Sequence, residues 1–102
     1  TEEAKAWYKK AYEKHGEAAA KAADKMGLIF TSQHDYAGAL EWYKKSAEAG
    51  YDWAMVKTGV IYQYGKGVPQ DTEEAKAWYK KAYDRHGDAA EKAAELMNKI
   101  EE

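Results

Sequence analysis

Three histidines are the side chains in this sequence best suited to acid–base or metal chemistry. His15 and His86 hold equivalent places, each just before a glycine at a predicted helix end. Neither has a second ligand four residues on, as a zinc site on a helix would, nor a nucleophile that it could activate. A histidine there can instead interact with the free carbonyls and the negative dipole end of its helix. His34 lies in a predicted turn, where we expect it to be solvated, so we predict no catalytic residue and no metal ligand.

Two other patterns resemble functional sites only in part. Gly65-x-Gly67 lacks the Gly-Lys-Ser/Thr ending of a phosphate loop and follows a predicted helix, whereas a nucleotide loop would follow a strand. We therefore predict a structural loop and no cofactor. Lysine pairs recur in one type of helix, at Lys9/Lys10, Lys44/Lys45 and Lys80/Lys81. They form either a solvated face or a patch for an acidic partner.

Charge and composition narrow the classes of partner. The formal net charge is −2 and both signs are interleaved, so no basic field is present that would neutralise nucleic-acid phosphates. With no cysteine, the chain can form no disulfide, thiolate zinc site or cysteine nucleophile. No run of about 18 apolar residues and no signal-peptide pattern occur, so we expect the chain as given to be soluble and to have no membrane partner. The sequence does not indicate a compartment.

The fold class follows from size and residue types. The 102 residues are within the range of one domain, which we expect to span 1–102. Apolar residues make up 45% of the chain, and many of them are alanine or tyrosine, which predicts closely packed elements with aromatic wedges between them. A single proline, 33% charged residues and few β-branched residues favour helix. We predict an all-α domain.

Self-comparison reveals an internal repeat. Residues Thr1–Gly16 and Thr72–Gly87 differ only at the pairs Glu13/Asp84 and Lys14/Arg85, and a more divergent copy spans Asp35–Gly50. The register is marked by three tryptophans about 35 residues apart, the period of helix–turn–helix repeats, at Trp7, Trp42 and Trp78. The predicted helices are about 1–16, 17–31, 35–50, 52–64, 72–87 and 88–101.

Local signals agree with these helices. Asp35 and Thr72 can serve as N-caps, and glycines can end the Trp-Tyr helices at Gly16, Gly50 and Gly87. Gly27 and Gly59 would permit close approach of a neighbouring helix. We therefore predict that Gly59 lies at a helix crossing.

The middle of the chain closely resembles the Sel1-like repeat, a tetratricopeptide-like family. The motif residues are TGVIY at 58–62, YGKGVPQD at 64–71 and WYKKA at 78–82. Thr58 stands where leucine is usual, Asn98 replaces the glycine of the last unit, and the short link at 32–34 is similar to an ordinary tetratricopeptide turn. The resemblance implies a right-handed α–α superhelix of about three helix pairs.

The resemblance also implies a concave peptide-binding groove lined by the first helix of each pair. On the middle helix the groove residues would be Trp53, Val56, Lys57, Val60 and Gln63. Flanking helices would add Lys21, Asp24 and Leu28 on one side and Lys92, Glu95 and Lys99 on the other. Trp53 is either an exposed aromatic anchor or a core residue, and the sequence leaves both open.

These observations predict a non-enzymatic domain that binds or scaffolds a protein or peptide. Near-identity of the first and last copies leaves an alternative, a designed or idealised repeat protein with no natural ligand. The first helix copies an internal one and lacks polar substitutions. Its Trp-Tyr face is therefore either covered by the chain's own stack or a site of self-association, which would make a homodimer.

Overall fold

The computed structural model describes residues 2–13 and 17–101. These residues form six helices and no strand, so the all-α prediction is confirmed. The helices are α1 (Glu2–Glu13), α2 (Glu17–Ser32), α3 (Tyr36–Glu48), α4 (Asp52–Tyr64), α5 (Thr72–Asp84) and α6 (Ala90–Glu101). Each packs on the next along the chain, and α4 also touches α6. The Trp-Tyr helices are α1, α3 and α5, and α2, α4 and α6 alternate with them.

Alanines make this close packing possible. The two clusters of buried residues combine alanines with a few large side chains, and the alanines with no exposed surface lie on five of the helices. They are Ala23, Ala39, Ala54, Ala75, Ala82 and Ala93, and Ala89, just before α6, is equally buried. Helices that meet through methyl groups approach closely, and large rings fill the space that remains. The prediction of small core residues with aromatic wedges is confirmed.

In two pairs of adjacent helices, α2 with α3 and α4 with α5, a tyrosine of the second helix packs against a glycine of the first. A methyl group built on Gly59 of α4 would overlap Cε1 of Tyr79 on α5. A methyl group on Gly27 of α2 would overlap Cε1 of Tyr43 on α3 in the same way. Because carbon atoms cannot approach so closely, only glycine leaves room for the ring. The predicted helix crossing at Gly59 is confirmed.

The helix ends differ from the prediction in detail. Asp35 caps α3 as expected, with its Oδ1 accepting from the Gly38 backbone N–H at 3.0 Å. The cap of α5 is Asp71, not Thr72, because the Asp71 carboxylate reaches the Glu74 N–H at 3.0 Å. Thr72 is therefore the first helical residue.

The C-terminal ends also depart from the predicted pattern. Gly50 follows α3 with a φ of 103°, as a glycine after a helix often does. After α5, however, the left-handed residue is His86, with a φ of 54°, and not Gly87. The His86 N–H donates to the Tyr83 carbonyl at 3.0 Å, and the His86 ring lies edge-on to the Tyr83 ring. His15 and Gly16 lie outside the described residues.

Candidate functional site

Three of the predicted groove residues form one stripe on α4. Trp53, Lys57 and Val60 follow each other at helical spacings of four and three residues, so they share a face. All three are half-buried. Trp53 and Val60 rest on the main core cluster, while part of each side chain remains at the surface. The stripe combines an aromatic ring, an ammonium group and an aliphatic side chain.

Two further predicted groove residues are interior. Val56 is buried in the core cluster. Gln63 is also buried, and its Oε1 accepts a hydrogen bond from the Tyr79 hydroxyl at 2.6 Å. The backbone carbonyl of Gln63 accepts from Gln70 Nε2 at 2.7 Å. The predicted groove position is thus wrong for both side chains, because α4 is apolar on nearly all sides and these two hold it against α5 and the following loop.

A buried carboxylate fixes the lysine of the stripe. Asp24 of α2 is only 4% exposed, and Lys57 Nζ lies 3.0 Å from each of its carboxylate oxygens. A buried charge is tolerated when it is paired, so the contact ties α2 to α4 across the groove face. The same ammonium group lies 5.5 Å from the centroid of the Tyr43 ring. Asp24 therefore positions Lys57 and neutralises most of its charge.

Next to this ion pair is a small cavity of about 200 Å³, which we call the tyrosine pocket. Its lining residues are Thr31, Tyr36, Tyr43, Lys57, Val60, Ile61 and Lys66. They come from α2, α3, α4 and the loop after α4. Two aromatic rings and two aliphatic side chains form its walls, and two lysines lie at its edge. Lys66 Nζ is 5.4 Å from the centroid of the Tyr36 ring.

The pocket carries one uncompensated positive charge. Lys57 is paired with Asp24, but among the described residues no carboxylate lies within ion-pair distance of Lys66. Burial raises the pKa of Tyr43, and the negative charge of Asp24 acts in the same direction, against a hydrogen bond to Thr31. The Tyr43 phenol is therefore neutral at pH 7. The pocket offers apolar walls, neutral hydroxyls and the Lys66 ammonium group to a ligand.

Apart from Asp24, the flanking groove residues lie away from this pocket. Leu28 is 41% exposed on α2, and Lys21 lines a separate hollow of about 180 Å³ with Tyr51 and Arg85. Three exposed residues of α6 form their own ion pairs, with the Glu95 carboxylate 3.7 Å from an ammonium group on either side. They are Lys92, Glu95 and Lys99. The structure thus brings together Asp24, Lys57 and Val60.

Five of the pocket residues were not predicted from the sequence. They are Thr31, Tyr36, Tyr43, Ile61 and Lys66. Thr31 had a recognisable signal, because it stands four residues after Gly27 just as Gln63 follows Gly59, and both receive the tyrosine hydroxyl of the next helix. Tyr36 and Lys66 depend on how the glycine loop folds onto the start of α3. A methyl group at Gly67 would lie 2.9 Å from Cβ of Tyr36. Such loop placement cannot be read from residue spacing.

Within the ranges 2–13 and 17–101, no three His, Asp or Glu side chains lie close enough together to hold a metal ion. Over those same ranges, every helix is too short or too polar to cross a bilayer. His34 is exposed, and its Nδ1 lies 3.4 Å from the Tyr36 hydroxyl.

Comparison with known proteins supports the repeat assignment. The family model for the Sel1 repeat matches residues 1–15, 16–51 and 54–86, which is most of the chain. A curated relative, the chitin synthase regulator SKT5 of Malassezia restricta, is 43% identical over 47 residues. That match covers 46% of this chain and 3% of the fungal protein. The chain therefore spans a very small part of that relative.

Proposed function

We propose a peptide-binding function for this chain, which belongs to the Sel1 repeat family. Proteins of this family are in general non-enzymatic adaptors that scaffold protein–protein interactions. The specific proposal is that the stripe on α4 and the tyrosine pocket together bind an extended segment of a partner protein. Catalysis has no part in it.

The observation that supports this proposal best is the tyrosine pocket. Its volume of about 200 Å³ is below the roughly 300–1,000 Å³ of typical small-molecule sites. A single aliphatic or aromatic side chain of a peptide suits such a space better than a whole cofactor does. Lys66 at the edge would then attract a carboxylate beside that side chain. The favoured ligand is a peptide with an apolar residue next to Asp, Glu or a C-terminal carboxylate.

Trp53 extends the surface beyond the pocket. It lies one helical turn before Lys57 on the same stripe, and its half-buried ring is already fixed by packing on the core. A fixed aromatic side chain loses little entropy on binding, and tryptophan is frequent among residues that dominate interface energy. We propose that Trp53 contacts a second apolar residue of the peptide.

A synthetic peptide library tests the charge preference. Each peptide carries one Leu or Phe flanked by Asp or Glu, and its partner carries Asn or Gln instead. We expect fluorescence anisotropy to show binding to the acidic peptides, at least about tenfold weaker binding of the amide partners, and loss of that preference in Lys66→Glu. The matched control is Lys80→Glu on the exposed face of α5, which changes net charge equally. If both variants weakened the binding of acidic peptides equally, the effect would be one of net charge at long range. That result would contradict a binding site at Lys66.

The contribution of Trp53 needs a parallel stability measurement. If the ring is an anchor, Trp53→Ala should lose on the order of 2 kcal/mol of peptide binding, while the unfolding transition shows the variant still folded at the assay temperature. Unchanged affinity in a folded variant would place the binding surface elsewhere. A library in which no peptide binds would favour the alternative of a repeat protein without a natural ligand.

A further inference from the structure

A second hollow lies at the opposite end of α2 and α4 from the tyrosine pocket. It measures about 180 Å³ and is lined by Ala20 and Lys21 of α2, by residues 49–51 between α3 and α4, and by Arg85 after α5. We call it the basic hollow. Two of its six lining residues are positively charged and none is negatively charged. An anion in this hollow would therefore meet cations from two different parts of the fold.

Neither cation of the basic hollow is neutralised by a carboxylate. Among the side chains that the structure describes, no Asp or Glu lies within ion-pair distance of Lys21 or Arg85. The Arg85 guanidinium lies over the turn after α3, since a methyl group at Gly50 would be 3.5 Å from its Nη2. The planar fork of a guanidinium suits two parallel hydrogen bonds to an oxyanion. Lys21 supplies the second charge from α2.

Tyr51 adds a neutral hydrogen-bond donor to these cations. Within the ranges 2–13 and 17–101, its hydroxyl makes no hydrogen bond. Burial raises the pKa of Tyr51, and the negative charges of Asp24 and Asp52 act in the same direction, so the phenol keeps its proton at pH 7. Those carboxylates are themselves engaged, Asp24 by Lys57 and Asp52 by the Ala89 N–H at 3.3 Å. The basic hollow thus combines a guanidinium, an ammonium group and a phenol.

The basic hollow also lies beside the surface proposed for the peptide. Tyr51 is two residues before Trp53. Lys21 has the place on α2 that Trp53 has on α4, each six residues before the glycine that receives a tyrosine ring. Lys21 is also one helical turn before Asp24, whose carboxylate reaches Lys57 of the stripe. A peptide that runs from the tyrosine pocket along the stripe would therefore pass Trp53 and reach the hollow.

We propose that the basic hollow binds the phosphate group of a phosphorylated residue in the same peptide, an inference that rests on the peptide-binding function proposed above. A phosphate monoester carries a charge of about −1.5 to −2 at pH 7 and three strong acceptor oxygens. Both properties match two cations and three donor groups at one hollow. A carboxylate has a single charge and would leave one of the two cations uncompensated.

Helix geometry sets the spacing of the two anchored residues of the peptide. Lys21 at the basic hollow and Thr31 at the tyrosine pocket are ten residues apart on α2. At the rise of an α-helix this separation is about 15 Å, and an extended peptide advances about 3.3 Å per residue. The phosphorylated residue should therefore be about four or five positions from the apolar residue in the tyrosine pocket.

Paired peptides test the phosphate and its spacing. Each carries one Leu next to Glu for the tyrosine pocket and a serine four or five positions away, on either side, with or without phosphate. In one of the two directions, we expect fluorescence anisotropy to show at least about tenfold tighter binding of the phosphorylated form. A phosphoserine directly beside the Leu has the same charge and should add nothing. Equal gains at both positions would overturn the proposal, as would an equal gain from Glu in place of phosphoserine.

Charge-matched variants locate the phosphate on the protein. Arg85→Gln and Lys21→Gln should each bring the affinities for the phosphorylated and unphosphorylated peptides close together, while thermal unfolding shows the variants still folded. Lys80→Gln removes the same charge from the exposed face of α5 and should keep the full gain from phosphorylation. A gain that survives Arg85→Gln, or one that falls equally in Lys80→Gln, would overturn the proposal.

The remaining outcomes separate this inference from the proposed function. If unphosphorylated peptides bind and phosphate adds nothing, the phosphate site is wrong and the peptide site stands. If no peptide binds, both are wrong. Inorganic phosphate should displace the phosphorylated peptide only at concentrations at least about a hundredfold above the Kd of that peptide, because the peptide is held at two places. Displacement close to that Kd would show a site for free phosphate and overturn the proposal.

Discussion

Residues 1–31 and 72–102 are two versions of one helix pair. The first helix of the pair keeps its sequence but differs in burial, whereas the second helix differs in sequence. α1 and α5 have nearly the same sequence and different burial. α2 and α6 have diverged where α2 receives the next helix, with Gly27 and Leu28 corresponding to Asn98 and Lys99. Polar residues on α6 thus stand where α2 has a glycine and an apolar residue. The comparison shows that α6 carries polar residues where α2 receives a following helix, whereas α1 retains the residues that are buried on α5.

The largest expected effect comes from the same substitution made at the two tryptophans. Trp78→Ala should cost about 3–5 kcal/mol of unfolding free energy, as large aromatic deletions in cores do. Trp7→Ala should change it by less than about 0.5 kcal/mol, as surface substitutions do. Denaturant unfolding of both variants measures the difference. Equal costs would show that α1 and α5 are covered alike and would break the comparison.

The second expected effect concerns the glycine that receives the tyrosine ring. Gly59→Leu should destabilise by at least about 1–3 kcal/mol because even its Cβ would overlap the Tyr79 ring. Asn98→Leu is the matched control at the corresponding place on α6, and we expect a change within about 0.5 kcal/mol. Thermal unfolding of the two variants provides the test. A Gly59→Leu variant as stable as the parent would mean that no ring packs there.

The third expected effect sharpens the contrast between α2 and α6. Lys57→Met would leave the buried Asp24 carboxylate without its cation. Because Lys57 is about one-third exposed and water can partly replace it, we expect a cost of about 1–2 kcal/mol. Lys99→Met removes a surface pair with Glu95, the counterpart of Asp24, and should cost less than about 0.5 kcal/mol. Similar costs at both positions in urea unfolding would contradict the burial of Asp24.

The smallest mutational effect is expected at the tyrosine hydroxyls. Tyr79→Phe removes the hydrogen bond to Gln63 and should cost about 1 kcal/mol. Tyr8→Phe is the matched control on the open face, and its unfolding free energy should change by no more than about 0.5 kcal/mol. Unfolding curves at pH 7 compare the two variants. A larger loss at Tyr8 would indicate that its hydroxyl has a buried partner.

The buried tyrosines of α3 and α5 predict a loss of stability at alkaline pH. Burial raises the pKa values of Tyr79 and Tyr43 above the ordinary 10.0. Above about pH 10 the unfolded chain loses phenolic protons that the folded chain retains, so the unfolding free energy should fall as pH rises. Below that pH these two groups should contribute no pH dependence. Tyr79→Phe should reduce the slope above pH 10, and an unchanged slope would contradict the burial of its hydroxyl.

The sequence predicted features that depend on local spacing. The helix pairs could be predicted from helical periodicity and from the spacing of the tryptophans. Their crossings could be predicted from the glycines at 27 and 59. The exposed face of α4 was harder, because its apolar residues surround the helix and periodicity alone cannot separate Val56 and Gln63 from Val60. The tyrosine pocket depends on the glycine loop contacting α3, which is a tertiary contact. His86 in place of Gly87 reflects two adjacent residues that can both adopt the left-handed conformation.

The most direct test of the account is the solvent exposure of the tryptophan side chains. The chain has four tryptophans, so its indole N–H signals can be assigned in a nitrogen-15 NMR spectrum by single Trp→Phe substitutions. A soluble paramagnetic probe should broaden the Trp7 signal strongly and leave the Trp78 signal nearly unchanged, although the surrounding sequences are the same. Equal broadening of the two signals would contradict the claim that neighbouring helices, and not the helix sequence, set the burial of these residues.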